Sequence, residues 1–409
     1  MMPKRKSSLM ILLSCLSVPL CAQQRISVIW PSDAPLEIPF AKSAQLTGVA
    51  FTGRNAQYEK ADTWFPIWAA DGNLYSSWTD GVVEGVTANS KGPQATTGFA
   101  TIEGDDPMRL RITHVGLQAG DSSPYGGRYP AGGLIHDGTW FYGTYCLNET
   151  PGKGLNWDIL GPFVGFSYSS DFGSTWHPSP HTPADPLFGE TPDQGLRFGL
   201  PHFVDFGKDM RGSPDGKAYF VSQGASLPDP APRDANLSWI TGDQVFLARV
   251  KPTLDNMNNR AAYEYFAGKD KHNRDHWTSD LRSSRPIVDW NNHVGNVSVT
   301  YDSPLRKYLM VITDGGNTIG KYNTYILESA RLTGPWKLVT YMRAFGPQAY
   351  FVNIPSKFIS KNGLTLWLSY SANFTNSYLH TGFEPNPPGS GYRLSLQEVR
   401  LLSHSADSH

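Results

Sequence analysis

AADGNLYSSW, residues 69–78, is the first of five similar stretches along the chain. The others are IHDGTWFYGTY (135–145), SPDGKAYFVSQ (213–223), DSPLRKYLMVI (302–312) and SKNGLTLWLSY (360–370). In each, a turn sequence containing Asp-Gly, Asn-Gly or Ser-Pro precedes a run rich in aromatic and aliphatic residues. Such turns join neighbouring antiparallel strands. Each stretch therefore predicts a β-hairpin within its own small sheet.

The fold class follows from this repetition. A single four-stranded sheet cannot bury both of its faces, and repeated sheets of this kind pack around an axis as the blades of a propeller. The sequence therefore predicts an all-β, five-bladed β-propeller in a single domain. A two-sheet sandwich is the structural alternative, although such repeats are unusual in sandwiches. No stretch shows a convincing helical period.

The composition indicates the kind of partner. The chain has 40 glycines, 31 prolines and 12% aromatic residues, whereas charged residues make up 17%. Tight turns use glycine and proline, and aromatic rings stack on the apolar faces of sugars. A net charge of −1 argues against nucleic acid or an anionic membrane surface as partner. We expect a monomer that binds a polysaccharide or oligosaccharide.

The N-terminal residues predict export. Basic residues at positions 4–6 precede the short apolar stretch MILLSCLSVPL (10–20), which is typical of a signal peptide. We assign residues 1–22 to that signal, 23–402 to the propeller and 403–409 to a disordered tail. The mature protein is then secreted or periplasmic and keeps one cysteine, Cys146. One cysteine can form neither an internal disulfide nor a thiolate metal cluster. No metal motif occurs, so we expect no cofactor and no catalytic metal, with a structural calcium ion left open.

The candidate site residues are polar residues that interrupt the apolar inner strands. In a propeller these strands converge on a central funnel, and one such residue falls in each predicted blade. They are Asp62, Arg128, His202, His293 and Asn353. A buried histidine is more often a hydrogen-bonded core residue than a functional one. The stronger indication of a shared site is therefore that every predicted blade has such a polar residue.

Other residues of the predicted blades complete the expected site. Asn292 and Lys357 are predicted to bind substrate in the funnel, together with Arg128 and Asn353. Trp64 and Trp78 are predicted stacking surfaces for sugar rings.

Asp62 and Asp80 are the predicted catalytic pair. They lie on a strand and its return strand, and an antiparallel hairpin brings its two ends close together. Glycosidic bond cleavage uses two carboxyl groups, one to protonate the leaving oxygen and one to attack or to activate water. The alternative interpretation of Asp80 is a turn residue before Gly81.

One eight-residue motif resembles a known propeller turn. Residues 169–176, SSDFGSTW, match the pattern S-x-D-x-G-x-T-W and resemble the Asp-box of sialidase-type propellers. There the aspartate caps a hairpin and the tryptophan packs between blades. The resemblance implies that Asp171 is structural and not catalytic.

Longer stretches resemble a family of five-bladed propellers of unknown function, some of which are endo-D-arabinanases. They are ADTW (61–64), LYSSWTDG (74–81), GNVSVTYDSPLRKYLMVI (295–312) and YRLSLQEVRL (392–401). In that family two first-blade aspartates carry catalysis, which implies the same role for Asp62 and Asp80. The chain departs from the family at Thr79-Asp80-Gly81, where Gly-Asp-Thr is usual.

The histidines lie outside that family pattern and suggest an alternative chemistry. A polysaccharide lyase acting beside a uronate needs a base, an acid and cations for the carboxylate. His202 or His293 with a tyrosine would supply the base and acid, and Arg128 or Lys357 the cation. A third alternative is a propeller that binds a glycan without cleaving it. A glycoside hydrolase is the leading hypothesis.

Overall fold

A computed structural model describes residues 27–150, 157–226, 238–315, 320–375 and 382–403. The predicted signal peptide (1–22) lies outside these ranges, as does the predicted tail (403–409) apart from Ser403. Within them, none of the helices combines the length and apolar character needed to cross a membrane.

The described strands form five sheets, which are the blades of the predicted five-bladed β-propeller. Two N-terminal strands, β1 (Val28–Ile29) and β2 (Leu46–Gln57), precede the first blade in sequence. The first blade then contains β3 (Lys60–Asp62), β4 (Ile67–Trp68), β5 (Leu74–Val83), β6 (Val86–Ala88), β7 (Thr96–Glu103) and β8 (Arg111–Ala119).

The second and third blades follow in chain order. The second contains β9 (Gly127–His136), β10 (Thr139–Asn148) and β11 (Ile159–Ser169). The third contains β12 (Leu200–Phe203), β13 (Ala218–Gly224), β14 (Gln244–Val250), β15 (Glu264–Lys269), β16 (Asp275–Thr278) and β17 (Val288–Asp289). The hairpin turn between β9 and β10 shows why the repeat carries Asp-Gly: Asp137 and Gly138 both have positive φ angles, of 47° and 75°, as a tight hairpin turn requires.

The last two blades complete the circle. The fourth contains β18 (Val297–Asp302), β19 (Lys307–Asp314), β20 (Asn323–Ser329) and β21 (Lys337–Met342). The fifth contains β22 (Tyr350–Asn353), β23 (Thr365–Ser371) and β24 (Ser395–Ser403). The helical segments that lie wholly within the described residues are one α-helical turn, α1 (Leu254–Met257), and 3₁₀ turns at Gly92–Gln94, Pro192–Gln194, Lys208–Met210, Arg260–Ala262, Leu281–Ser283 and Ser356–Phe358.

The N-terminal strands close the propeller. Strand β2 pairs antiparallel with β24, with Phe51 opposite Val399, and the fifth sheet has the order β1-β2-β24-β23-β22. The fifth blade is therefore built from both ends of the described chain, and hydrogen bonds join those ends directly.

Trp64 and Trp78 lie in the core between the first and fifth blades. Their rings stack with centroids 6.4 Å apart, they are 1% and 0% exposed, and they pack in one cluster with Phe358 and Trp367. The structure thus corrects the prediction that they stack on sugars, because neither ring has a face available to a ligand.

The Asp-box has the structural role that the resemblance implies. The Asp171 carboxylate accepts hydrogen bonds from the Thr175 amide at 2.9 Å and from the Thr175 hydroxyl at 2.6 Å. The Trp176 ring contacts Phe99 of the first blade and Tyr142 of the second, with centroids 4.1 and 4.7 Å apart. The motif therefore stabilises the packing of one blade on the next.

The contact between the Asp-box and β8 yields a test of this packing. A Cβ atom at Gly116 would overlap the main-chain oxygen of Gly173, which cannot move independently of its turn. We expect Gly116→Ala to destabilise the protein by about 1–3 kcal/mol, the usual effect of overpacking. Gly48→Ala is the matched control, because its new methyl group would make an ordinary 3.5 Å contact with the Leu402 side chain. Equal urea-unfolding midpoints for the two variants would contradict this account.

Candidate active site

A cavity of about 710 Å³ lies where the first, second and fifth blades meet. Asp62 and Asp80 both line it, so the structure brings the two predicted catalytic carboxyl groups to one space. Most other lining residues are aromatic, small or aliphatic. The lining is formed by Asp62, Thr63, Asp80, Gly81, Val82, Thr87, Ala88, Asn89, Lys91, Tyr129, Tyr145, Leu147, Glu149, Trp157, Trp239, Tyr350, Phe351, Phe374, Thr375 and Tyr392.

Asp62 is the deeper of the two carboxyl groups. It ends β3, pairs with Thr79 of β5, and is 8% exposed. The Thr63 hydroxyl donates to its Oδ1 at 2.7 Å, and the Tyr350 hydroxyl donates to its Oδ2 at 2.9 Å. Because Tyr350 belongs to the fifth blade, the Asp62 carboxyl group is held by residues of both the first and the fifth blade.

Asp80 is held by a different set of donors. It lies on β5 with a positive φ angle of 47°, which is uncommon for a residue other than glycine. Ser90 donates to its two carboxylate oxygens, from the amide and from the hydroxyl, each at 2.7 Å. The Tyr392 hydroxyl donates to its main-chain oxygen at 2.7 Å. The carboxylate therefore has a fixed orientation.

Burial dominates the protonation of this pair. Desolvation, reinforced by the nearby Asp80 charge, raises the pKa of Asp62 to about 8. Desolvation also raises the pKa of Asp80, and this rise is opposed by the two Ser90 hydrogen bonds and by the Lys91 charge. The donors around Asp80 thus favour its ionised form, whereas Asp62 holds its proton at neutral pH.

Tyrosines surround the two carboxyl groups. Tyr129 and Tyr145 of the second blade are 6% and 0% exposed, and burial raises the pKa of both phenols well above the ordinary value. Both therefore stay protonated and act as neutral hydroxyls. Lys91 lies at the rim, with its ammonium group 5.7 Å from the Trp157 ring centroid.

Glu149 adds a third carboxyl group to the lining. It follows strand β10 and is exposed to solvent, in contrast to Asp62. It belongs to no sequence motif, and the signal that points to it is its position directly after strand β10.

His202 and Asn353 line a separate, smaller cavity of about 70 Å³. The His202 Nδ1 atom lies 2.6 Å from the main-chain oxygen of Val297, and burial lowers its pKa to about 4. Its ring contacts Phe65 at 4.5 Å and Phe351 at 5.9 Å between centroids, and Phe65 contacts Phe351 at 5.1 Å. Phe65 and His202 line the smaller cavity, whereas Phe351 lines the larger one. The structure therefore separates His202 and Asn353 from the carboxyl pair.

His293 and Asn292 lie between β17 of the third blade and β18 of the fourth, outside the lining of either cavity. The His293 ring stacks on Trp290 with centroids 4.1 Å apart, and its Nδ1 lies 2.8 Å from Asp314 Oδ2. This contact raises the pKa of His293. The Asn292 main-chain N–H donates to Asp243 Oδ1 at 2.9 Å. The structure therefore places both predicted residues away from the lining that contains Asp62.

Arg128 and Lys357 make structural contacts. Arg128 donates to the Thr144 hydroxyl at 2.8 Å and to the Asp121 main-chain oxygen at 3.0 Å. Side chains alternate along a strand, so its neighbour Tyr129 faces the cavity instead. Lys357 donates to the main-chain oxygens of Gly72 and Gly104, each at 2.7 Å, and so joins the fifth blade to the first.

Among the described residues, one group of potential metal ligands converges. Ligand atoms of His136, Asp137 and Asp209 lie within 4.8 Å of one another. Asp137 is exposed and the group lies outside the lining of the large cavity. Acidic side chains often meet in this way without an ion, and we assign no metal to the group.

Comparison with known proteins supports the fold. No protein-family model matches the chain, and no curated protein matches it in sequence. A candidate hydrolase from Bacteroides ovatus is similar in structure, with 16% identity over 94% of this chain and 96% of that chain and a TM-score of 0.52. A β-xylosidase named RS223 (11% identity, 85% and 95% covered) and a GH43_1 enzyme from Xanthomonas citri (11%, 87% and 92%) both give a TM-score of 0.47. At these identities the likeness concerns the fold alone, and membership of the arabinanase-like family stays a prediction.

The raised pKa of Asp62 predicts a pH-dependent contribution to stability. Between about pH 4 and pH 8 the folded protein holds a proton on Asp62 that the unfolded chain has lost, so this contribution falls as the pH rises. Asp62→Asn keeps a neutral side chain of similar shape. We therefore expect the stability of the variant, relative to the unsubstituted protein, to increase from pH 4 to pH 8 in urea unfolding. A difference that stays constant with pH would contradict protonation of Asp62 in the folded state.

Proposed function

We propose that this protein is a secreted glycoside hydrolase in which Asp62 is the general acid and Asp80 is the ionised partner. The observation that carries the proposal is the convergence of two carboxyl groups with different hydrogen-bond environments in one cavity. Glycosidic cleavage requires two carboxyl groups in different roles, and the different donors around Asp62 and Asp80 suit them to such a division.

Asp62 suits the role of acid. A general acid must hold its proton near the working pH and release it to the leaving oxygen. Burial and the nearby Asp80 charge keep Asp62 protonated at neutral pH. As the glycosidic C–O bond breaks, the Asp62 proton passes to the leaving oxygen.

Asp80 suits the complementary role. Its carboxylate must supply electrons to the anomeric carbon, either directly or by taking a proton from an attacking water. The two donors from Ser90 fix its oxygens, and the nearby Lys91 charge favours its ionised form.

The lining of the cavity suits a neutral oligosaccharide better than a uronate-bearing one. Its volume of about 710 Å³ lies within the usual range for ligand pockets, and aromatic residues form much of its wall. Lys91 is the one cation in the lining described above, because Arg128 and Lys357 are engaged elsewhere. His202 and His293 also lie outside it. These placements support hydrolysis over the lyase alternative.

The sequence resemblance to endo-D-arabinanases makes arabinose-bearing glycans the first substrates to test. The fold likeness to a candidate hydrolase from Bacteroides ovatus, which extends over most of both chains, agrees with the proposal.

The decisive assay incubates the mature protein with arabinose-bearing, xylose-bearing and uronate-bearing glycans. Reducing ends and ultraviolet absorbance are followed together. We expect new reducing ends without absorbance on a neutral glycan. Asp62→Asn and Asp80→Asn should each lower kcat by about 10²–10⁴, the usual contribution of a general acid or base.

Two controls separate the alternatives. Asp71→Asn changes an exposed carboxylate in a turn of the same blade and should retain activity, as should His293→Gln. Absorbance that rises with product, together with loss of activity in His293→Gln, would replace hydrolysis by β-elimination. Binding without any cleavage would leave a glycan-binding propeller.

A further inference from the structure

A β-bulge in the fifth blade sets the position of two residues of the large cavity. From Tyr350 to Asn353, β22 advances by three residues. The paired segment of β23, from Ser371 to Ser369, advances by two. Strand β22 therefore contains one extra residue. Successive side chains of a regular strand point to opposite faces, yet Tyr350 and Phe351 both line the cavity. The bulge explains how neighbouring residues can do so.

The main chain at Phe351 is strained. Its φ angle is 50°, which is a rare conformation for a bulky residue. Such a conformation persists only where surrounding contacts maintain it, and it is found most often at functional sites. The contacts around Phe351 therefore decide whether Tyr350 keeps its place in the cavity.

Two asparagine side chains hold the main chain of Phe351. The Asn296 Oδ1 atom accepts a hydrogen bond from the Phe351 N–H at 2.8 Å. The Asn353 Nδ2 atom donates to the Phe351 main-chain oxygen, also at 2.8 Å. Asn296 directly precedes β18 of the fourth blade and is 2% exposed, so its contact crosses from one blade to the next. Both polar groups of the bulged residue thus have a side-chain partner.

Asn296 also holds a neighbour of Tyr350. Its Nδ2 atom donates to the Trp239 main-chain oxygen at 3.3 Å, and its Oδ1 atom accepts from the Thr313 hydroxyl at 3.0 Å. The Trp239 ring meets the Tyr350 ring edge-on, with centroids 5.1 Å apart. One buried amide therefore joins residues of the third, fourth and fifth blades beside the cavity.

These contacts lead to the proposed acid, because the Tyr350 hydroxyl donates to Asp62 Oδ2 at 2.9 Å. We propose that Asn296 and Asn353 are positioning residues for the acid. They fix the bulge, and the bulge holds the Tyr350 hydroxyl on the Asp62 carboxyl group. This inference rests on the proposed function, to which it adds the residues that orient the acid.

Several titratable groups share the cavity with Asp62, and substitution of either asparagine leaves their chemistry unchanged. They are Asp80, Lys91, Tyr129, Tyr145, Glu149 and Tyr392. The hydrogen bonds of Asn296 and Asn353 described above involve none of them. A change in the titration of Asp62 in an asparagine variant can therefore be traced to Tyr350 by comparison with Tyr350→Phe.

The first measurement follows the Asp62 carboxyl group and does not depend on activity. Carbon-13 labelling of aspartate gives its titration by NMR, with Asp62→Asn assigning the signal. Asn296→Ala leaves the Phe351 N–H without this acceptor, which is unfavourable for a buried donor, so the bulge should relax. Tyr350 should then withdraw from Asp62. The Asp62 titration should move to higher pH, because the ionised carboxylate has lost a donor. Tyr350→Phe should move it in the same direction.

Combining the two substitutions tests whether Asn296 acts through Tyr350. In the Tyr350→Phe background, Asn296→Ala should move the Asp62 titration little further, because the hydroxyl whose position it controls is already gone.

Thr300→Val is the matched control. Thr300 lies on β18, is 3% exposed, and donates from its hydroxyl to the Ile354 main-chain oxygen at 2.7 Å. The substitution therefore removes one buried hydrogen bond between the same two blades, outside the lining of the large cavity. It should leave the Asp62 titration in place.

Asn353→Ala gives a second test, at a residue that is only partly buried. It removes the donor to the Phe351 main-chain oxygen and should also move the Asp62 titration to higher pH. Unfolding midpoints identify the folded variants, and if Asn296→Ala does not fold, Asn353→Ala and its combination with Tyr350→Phe decide the question. On the substrate found by the glycan assay, each folded asparagine variant should lower kcat by about 10²-fold, the usual effect of a small displacement at the reacting groups. Thr300→Val should not.

The outcomes separate this inference from the proposed function. An Asp62 titration that stays in place in the folded asparagine variants would overturn the inference, as would a shift of undiminished size in the Tyr350→Phe background. If Asp62→Asn abolishes hydrolysis while either result is obtained, hydrolysis stands and only the role of the asparagines is lost. If no glycan is cleaved, the proposed function fails, and the titrations still decide whether the asparagines hold Tyr350 on Asp62.

Discussion

The pairing of β2 with β24 is the constraint on which the candidate site depends. It joins Phe51 to Val399 and closes the ring of blades. The closure seats the fifth blade against the first, and only in that position can Tyr350 and Tyr392 reach Asp62 and Asp80. These contacts span 288 and 312 positions of sequence. The site therefore depends on closure of the whole ring of blades, although both carboxyl groups come from one short stretch of sequence.

Burying two carboxyl groups opposes folding, and the structure limits this effect in two ways. One proton stays on Asp62, which removes a charge, and hydroxyl or amide donors meet the remaining polar atoms. Such an arrangement is weak evidence for stability, because apolar side chains of similar size would serve a core equally well or better. Strongly shifted carboxyl groups in a cavity are instead typical of functional sites.

The turns and strands of the repeat predicted the fold because they are local features, readable within ten residues. The convergence of Asp62 and Asp80 on one cavity was predictable for the same reason. Their hydrogen-bond partners were not predictable. Tyr350 and Tyr392 reach the two aspartates through long-range packing, which no local sequence pattern encodes. The alternation of side chains along a strand explains the error at Arg128, since a shift of one residue to Tyr129 gives the side chain that faces the cavity. Trp64 and Trp78 were misplaced because an aromatic ring in a core and one on a binding surface have the same sequence signature.

The contact between Phe65, His202 and Phe351 has a consequence for where a ligand can move. The three residues come from three different blades and their rings touch one another. Phe65 and His202 line the smaller cavity, and Phe351 lines the larger one. Close-packed rings leave no gap between them that would admit a sugar. A ligand bound beside Asp62 therefore cannot pass between these three rings to reach His202.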